Sequence, residues 1–519
     1  MLSRARPAHA FLSIALAAIL PACASEDPAE TPAPPAGCTA PDCSGLPFPR
    51  IASYRIETYL DPEAEEILGN TDLAIIDAEV GALDPEALGR LRERSAALDL
   101  LAYVTSEEIW HAPDPEWMPL ATERLARIPP AFWLLEPGSR LAEGIDASAT
   151  VLRVEDPGAF SVMRPPSDFY PEEEPTFLLL GDEHVRLVDI QGDELVVERG
   201  YQSTPKAHPQ GTALAAHVVF FSGTWMLNVA ATAPADPEHG SWRDMLAEEA
   251  AGMVTQGPWT GVFLDVCFSD IGWLNGGLLD VDRDGVADDP AEASQQWSLG
   301  MGELVETLRA TLGPEAPIIA NPGAQDCPHE GLDGILLEGW PIGLPPDYQT
   351  FEAGLERYRS WTTRSGKRNL TVANAFSPKI GFGVIEPGDD EVARTDYAAM
   401  RFGLGVALLG DGYYAFDNGV FGHYVAWWYD EYDGAGLGRG WLGWPLGPST
   451  ELPGGALGRE FEHGYAVVNP TEAPLTVTVP AGLCKLRGTQ DSAHNDGSAV
   501  TAPLEIAPKD GYLLVRDGG

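Results

Sequence analysis

The chain has 519 residues, of which 44% are hydrophobic and 21% charged, and its formal net charge is −46. That length exceeds one average domain and suits a large barrel with accessory modules, and the hydrophobic content excludes a disordered body. So acidic a chain excludes nucleic acid as a partner, because phosphate binding needs clustered Lys and Arg; the ordinary effect of such charge is solubility.

Arg4 and Arg6 precede a short apolar run at 11–20, and small residues follow. The run is too short to span a bilayer and reads as an export signal over 1–24. Leu20-Pro21-Ala22-Cys23 is similar to a bacterial lipoprotein box with Cys23 as the lipidated residue, although proline before the small residue departs from that pattern. Ala22-Cys23-Ala24 also fits ordinary signal cleavage. Either route gives an exported protein, secreted or membrane-anchored, and the membrane is a partner only through an N-terminal lipid. Residues 25–49, rich in Pro and Ala, cannot bury enough apolar surface to offset their ordering entropy and read as a disordered linker. Cys38 and Cys43 lie in it and could close a small loop. Cys267 and Cys327 are candidates for a second pair, but six cysteines in a chain this long do not make a disulfide scaffold.

From residue 51 onward, apolar runs alternate with helical stretches. Runs at 51–58, 73–77 (LAIID), 98–104 (LDLLAYV), 261–265 (GVFLD), 316–320 (APIIA), 332–338 (LDGILLE), 370–374 (LTVAN) and 405–409 (GVALL) read as strands. Helical patterns lie at 85–97, 295–312, 347–364 and 391–402. Near-continuous apolar strands separated by helices predict a parallel sheet covered on both faces, and eight of them predict an α/β fold of the (β/α)8 TIM-barrel type. A doubly wound open sheet is the alternative, disfavoured because no Gly-rich phosphate-binding turn follows the first strand. The third and fourth strands are far apart in sequence. Between them, 138–216 carries strand-like pieces punctuated by turns and reads as an inserted small β module. The barrel then comprises 50–137 and 217–450, and 451–519, with strands but no helices, reads as a C-terminal β-sandwich.

Polar residues at the C-terminal ends of barrel strands point into the active-site face. Here those ends supply Asp77 and Glu79, Glu107, Asp265, Asn321, Glu338, Asn374 and Asp411 or Asp417. No Ser-His-Asp signature, nucleophile elbow or His-rich metal motif is present. Glycoside hydrolysis needs two carboxylates, one donating a proton to the leaving oxygen and the other attacking the sugar or activating water. Asp265 and Glu338, each closing an apolar strand, are the candidate catalytic pair. The competing reading is that a strand-end acid caps the next helix or pairs with an arginine. Asp77, Glu79, Glu107, Asn228, Asn321 and Asn374 are candidates for binding sugar hydroxyls. Trp225 and Trp340, near the same loops, are candidates for stacking on a pyranose face.

Asp280-Val281-Asp282-Arg283-Asp284-Gly285-Val286-Ala287-Asp288-Asp289 sets oxygens at alternate positions around a turn glycine, a pattern suited to calcium. It matches the first half of an EF-hand loop but has Ala291 where a bidentate Glu belongs. Asp280, Asp282, Asp284, Val286 (through its carbonyl), Asp288 and Asp289 are the candidate ligands of a structural Ca2+.

The runs TDLAIIDAEV, TGVFLDVCFSDIGW, LDGILLEGW and REFEHGYAVVNPTEAPLTVTV, in that order, resemble hypothetical glycosyl hydrolase family 15 over roughly residues 50–517. That family is related to endo-α-1,4-polygalactosaminidase-like barrels and more distantly to the α-galactosidase superfamily. The resemblance implies a nucleophile at the end of the fourth strand and an acid/base at the end of the sixth, which are Asp265 and Glu338. An Asp is common at the second place, where this chain has Glu. The function expected is an exported glycoside hydrolase acting on a polysaccharide or oligosaccharide. The alternative is a non-catalytic carbohydrate-binding or calcium-dependent cell-envelope lipoprotein.

Overall fold

The computed structural model describes residues 45–516 apart from 165–172, 326–329, 345–348, 365–368, 381–385 and 421. The leader with Cys23, most of the linker with Cys38 and Cys43, and Cys327 lie outside the described residues. Cys267 is buried.

Eight strands form the central sheet: β1 (Ala52–Arg55), β2 (Leu73–Asp77), β3 (Asp99–Thr105), β4 (Gly261–Asp265), β5 (Ile318–Ala320), β6 (Gly334–Glu338), β7 (Val372–Phe376) and β8 (Tyr413–Asp417). Each pairs in parallel with the next. At the seam, a parallel bridge joins Ile51 to Tyr414, whose N–H donates to the Arg50 carbonyl at 3.0 Å. The result is a nearly closed barrel. Helices cover it, among them α1 (Pro62–Leu68), α2 (Pro85–Arg94), α3 (Trp242–Gln256), α4 (Pro290–Leu312), α5 (Phe351–Thr362) and α6 (Tyr397–Ala407). Their starts follow local chemistry: Ser241 and Asp244 form a capping box at α3, Asp289 caps α4 ahead of Pro290, and Thr350 caps α5.

The strands sort their side chains with period two. Tyr54, Ile75, Leu101, Phe263, Ile319, Leu336, Val372 and Ala415 meet in one core inside the barrel. Their neighbours, such as Ala74, Ile76, Ala102, Val262 and Leu264, belong to the outer core that packs against the helices. In β2, β4 and β6 four buried residues are followed by one half-buried acid.

Residues 405–409, expected as the eighth strand, lie instead at the end of α6 and just beyond it. Every residue from Ala399 to Ala407 is buried. A run without a polar face has no period that separates helix from buried strand. Its outer face is covered by the C-terminal sheet: Arg401 donates to Asp510 at 2.9 Å, and a Cβ on Gly405 would meet Val468 Cγ1 at 2.3 Å.

Between β3 and β4 the chain forms a separate six-stranded antiparallel sheet, running from Ser139–Arg140 to Ala213–Ala216, with its own core around Leu152, Leu178, Val185 and Leu195. After the barrel come a five-stranded antiparallel sheet centred on Gly464–Asn469 and Asp510–Arg516, and a two-stranded one, Leu475–Val477 with Leu504–Ile506. Among the described residues no helix is long and apolar enough to cross a membrane.

Candidate functional site

The inner face of the barrel fixes which strand-end residues can share a site. Two residues beyond each inner-core position lie Asp77, Tyr103, Asp265, Asn321, Glu338, Asn374 and Asp417. This layer comes from seven adjacent strands at the C-terminal end, where barrels carry their chemistry.

The Asn321 amide donates to Glu338 Oε2 at 2.8 Å, and Asn321 also favours the ionised form of Asp265. The Tyr103 hydroxyl donates to Asp265 Oδ2 at 2.7 Å. Burial first, and then the charge of Glu338, pushes the Asp265 carboxyl up to about 6. On the far side of Glu338 stands His423, with Nε2 3.4 Å from Glu338 Oε1 and Nδ1 3.0 Å from Asp417 Oδ2. Asn374 donates to the same Asp417 oxygen at 2.9 Å. Burial opposes charge on His423, but Asp417 and Glu338 outweigh it and push the imidazole up to about 10. His423 is therefore an imidazolium at neutral pH, and both of its nitrogens donate. Tyr54 packs under it, ring centroids 4.2 Å apart. Burial, and then the charges of Asp265, Glu338, Asp417 and Asp77, hold the Tyr54 phenol well above its ordinary value. Asp77 itself is pushed up to about 7, mainly by burial, while its Oδ1 accepts the Glu79 N–H at 2.8 Å.

Several residues expected to bind substrate have other work. Both Glu79 oxygens accept backbone N–H groups, from Leu120 at 2.8 Å and Ala121 at 2.7 Å, so this acid caps the helix Pro119–Arg127. Glu107 is wholly buried and accepts the Trp297 indole N–H at 2.8 Å; burial holds its carboxyl well above the ordinary value. Asn228 is buried and donates to the Val281 carbonyl at 2.8 Å. Trp225 is buried and stacks on His217 with ring centroids 4.0 Å apart, at the root of the inserted sheet. Trp340 is buried against Phe351 and Tyr358, and a Cβ on Gly354 would sit 2.0 Å from its indole nitrogen. Neither indole presents a face to solvent. Exposed instead are Trp110, at the end of the short strand Glu108–Trp110 that follows β3, Trp117 further along the same connection, and Trp273, on the loop after β4.

Sequence reasoning missed Tyr54, Tyr103 and His423. The tyrosines share the inner parity of their strands, a signal that was present. His423 sits in the loop after β8 with no pattern around it.

In the acidic loop after β4, one oxygen each of Asp280, Asp282 and Asp288 lie within 4.8 Å of one another. Asp284 Oδ1 instead accepts the Val286 N–H at 2.8 Å, and Asp289 caps α4 through Ala291 at 3.0 Å and Glu292 at 3.2 Å. The Val286 side chain is exposed.

Among solved structures the chain is similar to a variant of the GH36 alpha-galactosidase AgaA from Geobacillus stearothermophilus, at 10% identity and TM-score 0.37, covering 90% of this chain and 55% of that one. The chain thus spans little more than half of that enzyme. It is also similar to a variant of the trehalulose synthase MutB, at 11% identity and TM-score 0.43, over 90% of this chain and 99% of that one. A third, an isomalto-dextranase from Arthrobacter globiformis T6, is 11% identical with TM-score 0.36, over 93% of this chain and 75% of that one. No curated protein matches. The family model described as hypothetical glycosyl hydrolase family 15 matches residues 198–465, a span that holds Asp265, Glu338, Asp417 and His423. On that match over half its length, the chain belongs to hypothetical glycosyl hydrolase family 15.

Proposed function

We propose that the chain cleaves a glycosidic bond of a polysaccharide or oligosaccharide by a retaining mechanism, with Asp265 as nucleophile and Glu338 as proton donor and later base. The observation that carries this reading is the placement of both acids in one layer at the C-terminal end of the barrel, near enough that the charge of Glu338 raises the Asp265 carboxyl, with Tyr103 on one acid and Asn321 and His423 on the other. A pair of carboxyls about 5–5.5 Å apart performs the retaining reaction. Asp265 is equipped as the nucleophile, since the Tyr103 hydroxyl donates to it and Asn321 also favours its ionised form. His423, fixed by Asp417, orients the Glu338 carboxyl and supplies positive charge beside the developing negative charge of the leaving group. Trp110 and Trp273 are the exposed rings suited to stack on sugar.

The test is sugar release from a polysaccharide panel, galactosaminoglycans included, by the full chain. Asp265→Asn and Glu338→Gln should each abolish release while leaving the fold intact. Azide should rescue Asp265→Ala as a glycosyl azide of inverted anomeric configuration, and rescue Glu338→Ala with retention. Release that survives both substitutions would remove the pair from the chemistry, and exchanged rescue products would exchange the two roles.

The basic and apolar leader with Cys23 supports export, with a lipid anchor favoured over plain cleavage. Labelling with a radioactive fatty acid should mark the wild type and not Cys23→Ala; no label on the wild type would indicate a secreted form. In the C-terminal region, Val467 and Leu514 of one sheet share a core with Val477 and Ile506 of the other, which supports reading the two sheets as a small sandwich.

A further inference from the structure

We propose that the connection between β4 and α4 binds a calcium ion through Asp280, Asp282 and Asp288. One oxygen of each lies within 4.8 Å of the others, close enough to share one cation. Convergent acids alone do not make a site, because exposed carboxylates cluster without a ligand. Here one member is not exposed: Asp280 is 3% accessible, and its Oδ1 has no hydrogen-bond partner. A carboxylate oxygen withdrawn from water and left unpaired is costly, and a bound cation is the ordinary way to satisfy it. The nearby base does not serve. Arg283 donates instead to the carbonyls of Pro130 at 3.0 Å and Trp133 at 3.1 Å.

The donor set chooses the metal. Three carboxylates without imidazole or thiolate suit a hard divalent cation. Calcium tolerates an irregular shell completed by carbonyls and water, whereas magnesium demands a near-ideal octahedron. The position gives the ion a structural task. The Asp280 N–H donates to the Leu135 carbonyl at 3.0 Å, and Asn228 holds the Val281 carbonyl. The ion would therefore pin the segment that leads away from Asp265 to the stretch around Leu135 that precedes the inserted sheet. This inference stands apart from the glycosidase reading, because its test needs no substrate.

The experiment is terbium luminescence, excited through tryptophan, on the full chain, with thermal melts in EDTA and in millimolar calcium. Emission should saturate with terbium and be displaced by calcium, and calcium should raise the melting temperature reversibly. Asp282→Asn and Asp288→Asn should weaken terbium binding about tenfold or more through loss of ligand charge, while Asp284→Asn should change it little. Asp280→Asn should abolish the response; because that site is buried, the other two variants keep the test decisive if it fails to fold. A melting temperature indifferent to calcium would overturn the proposal. So would terbium binding unchanged in Asp282→Asn and Asp288→Asn, or a response to magnesium without one to calcium.

Discussion

His423→Gln offers a test of the site that needs no substrate. In the folded chain Asp417 and Glu338 push the imidazole up to about 10 against the opposing effect of burial, while the unfolded chain releases that proton near 6.5. The folded state therefore holds one extra proton between those limits. The stability it brings is complete below about pH 6.5 and is lost as pH rises toward 10, with a slope of about 1.4 kcal/mol per pH unit. In the window from about pH 8 to 10 the comparison with the variant isolates the effect, because Glu108, pushed up to about 8, titrates alike in both chains. Asp265 and Asp77, at about 6 and about 7, are already ionised there, and the buried Tyr54 and Tyr103 phenols are still neutral. Across it the wild type should lose about 2–3 kcal/mol through this one residue. Glutamine keeps a donor but no charge, so near neutral pH the variant should be less stable by about 3 kcal/mol, and the gap should narrow as pH rises. Urea unfolding followed by tryptophan fluorescence at several pH values measures both chains. Equal loss of stability in the two between pH 8 and 10 would refute the reasoning, because it would mean that His423 carries no extra proton in the fold.

Other outcomes follow from the same contacts. Tyr103→Phe deletes the donor at 2.7 Å from Asp265, so the acid limb of kcat/KM against pH should move up by about one unit. Glu79→Ala removes the cap from Pro119–Arg127 and should cost about 1–2 kcal/mol in urea unfolding, with KM unchanged. Trp225→Ala should cost about 3–5 kcal/mol as a cavity in the packed root of the insert. Trp273→Ala, at an exposed ring, should change stability by no more than about 0.5 kcal/mol and raise KM.

The barrel was legible because its strands announce themselves: GVFLD and GILLE each show four apolar residues and then one acid, a pattern that needs no tertiary information. The same rule located Asp265, Glu338, Asn321 and Asn374. It failed for Glu79 and Glu107, which lie two residues past Asp77 and Thr105 and have left the sheet, so strand parity no longer aims them at the axis. Trp225 and Trp340 were misread because a tryptophan near a strand end looks alike in sequence whether it faces solvent or a partner ring. The eighth strand was misplaced because the C-terminal sheet buries the face of α6 that would otherwise have been polar. His423 was out of reach, since its meaning depends on β6 and β8 bringing Glu338 and Asp417 to its two nitrogens.

The separation of β3 from β4 has a consequence for how the chain is made. Gly261–Asp265 pairs with Leu101–Thr105 across the whole inserted sheet. Closing so long a loop adds only about 1 kcal/mol beyond an ordinary βα step, because the entropy grows with the logarithm of length. Time is a different matter. A ribosome adding residues one by one completes β1 to β3 long before β4 exists, so a three-stranded parallel fragment waits with a bare edge, open to pairing with another nascent chain. The inserted sheet, with a hydrophobic core of its own, is able to form during that wait, and it would shorten the distance β4 must search when it emerges.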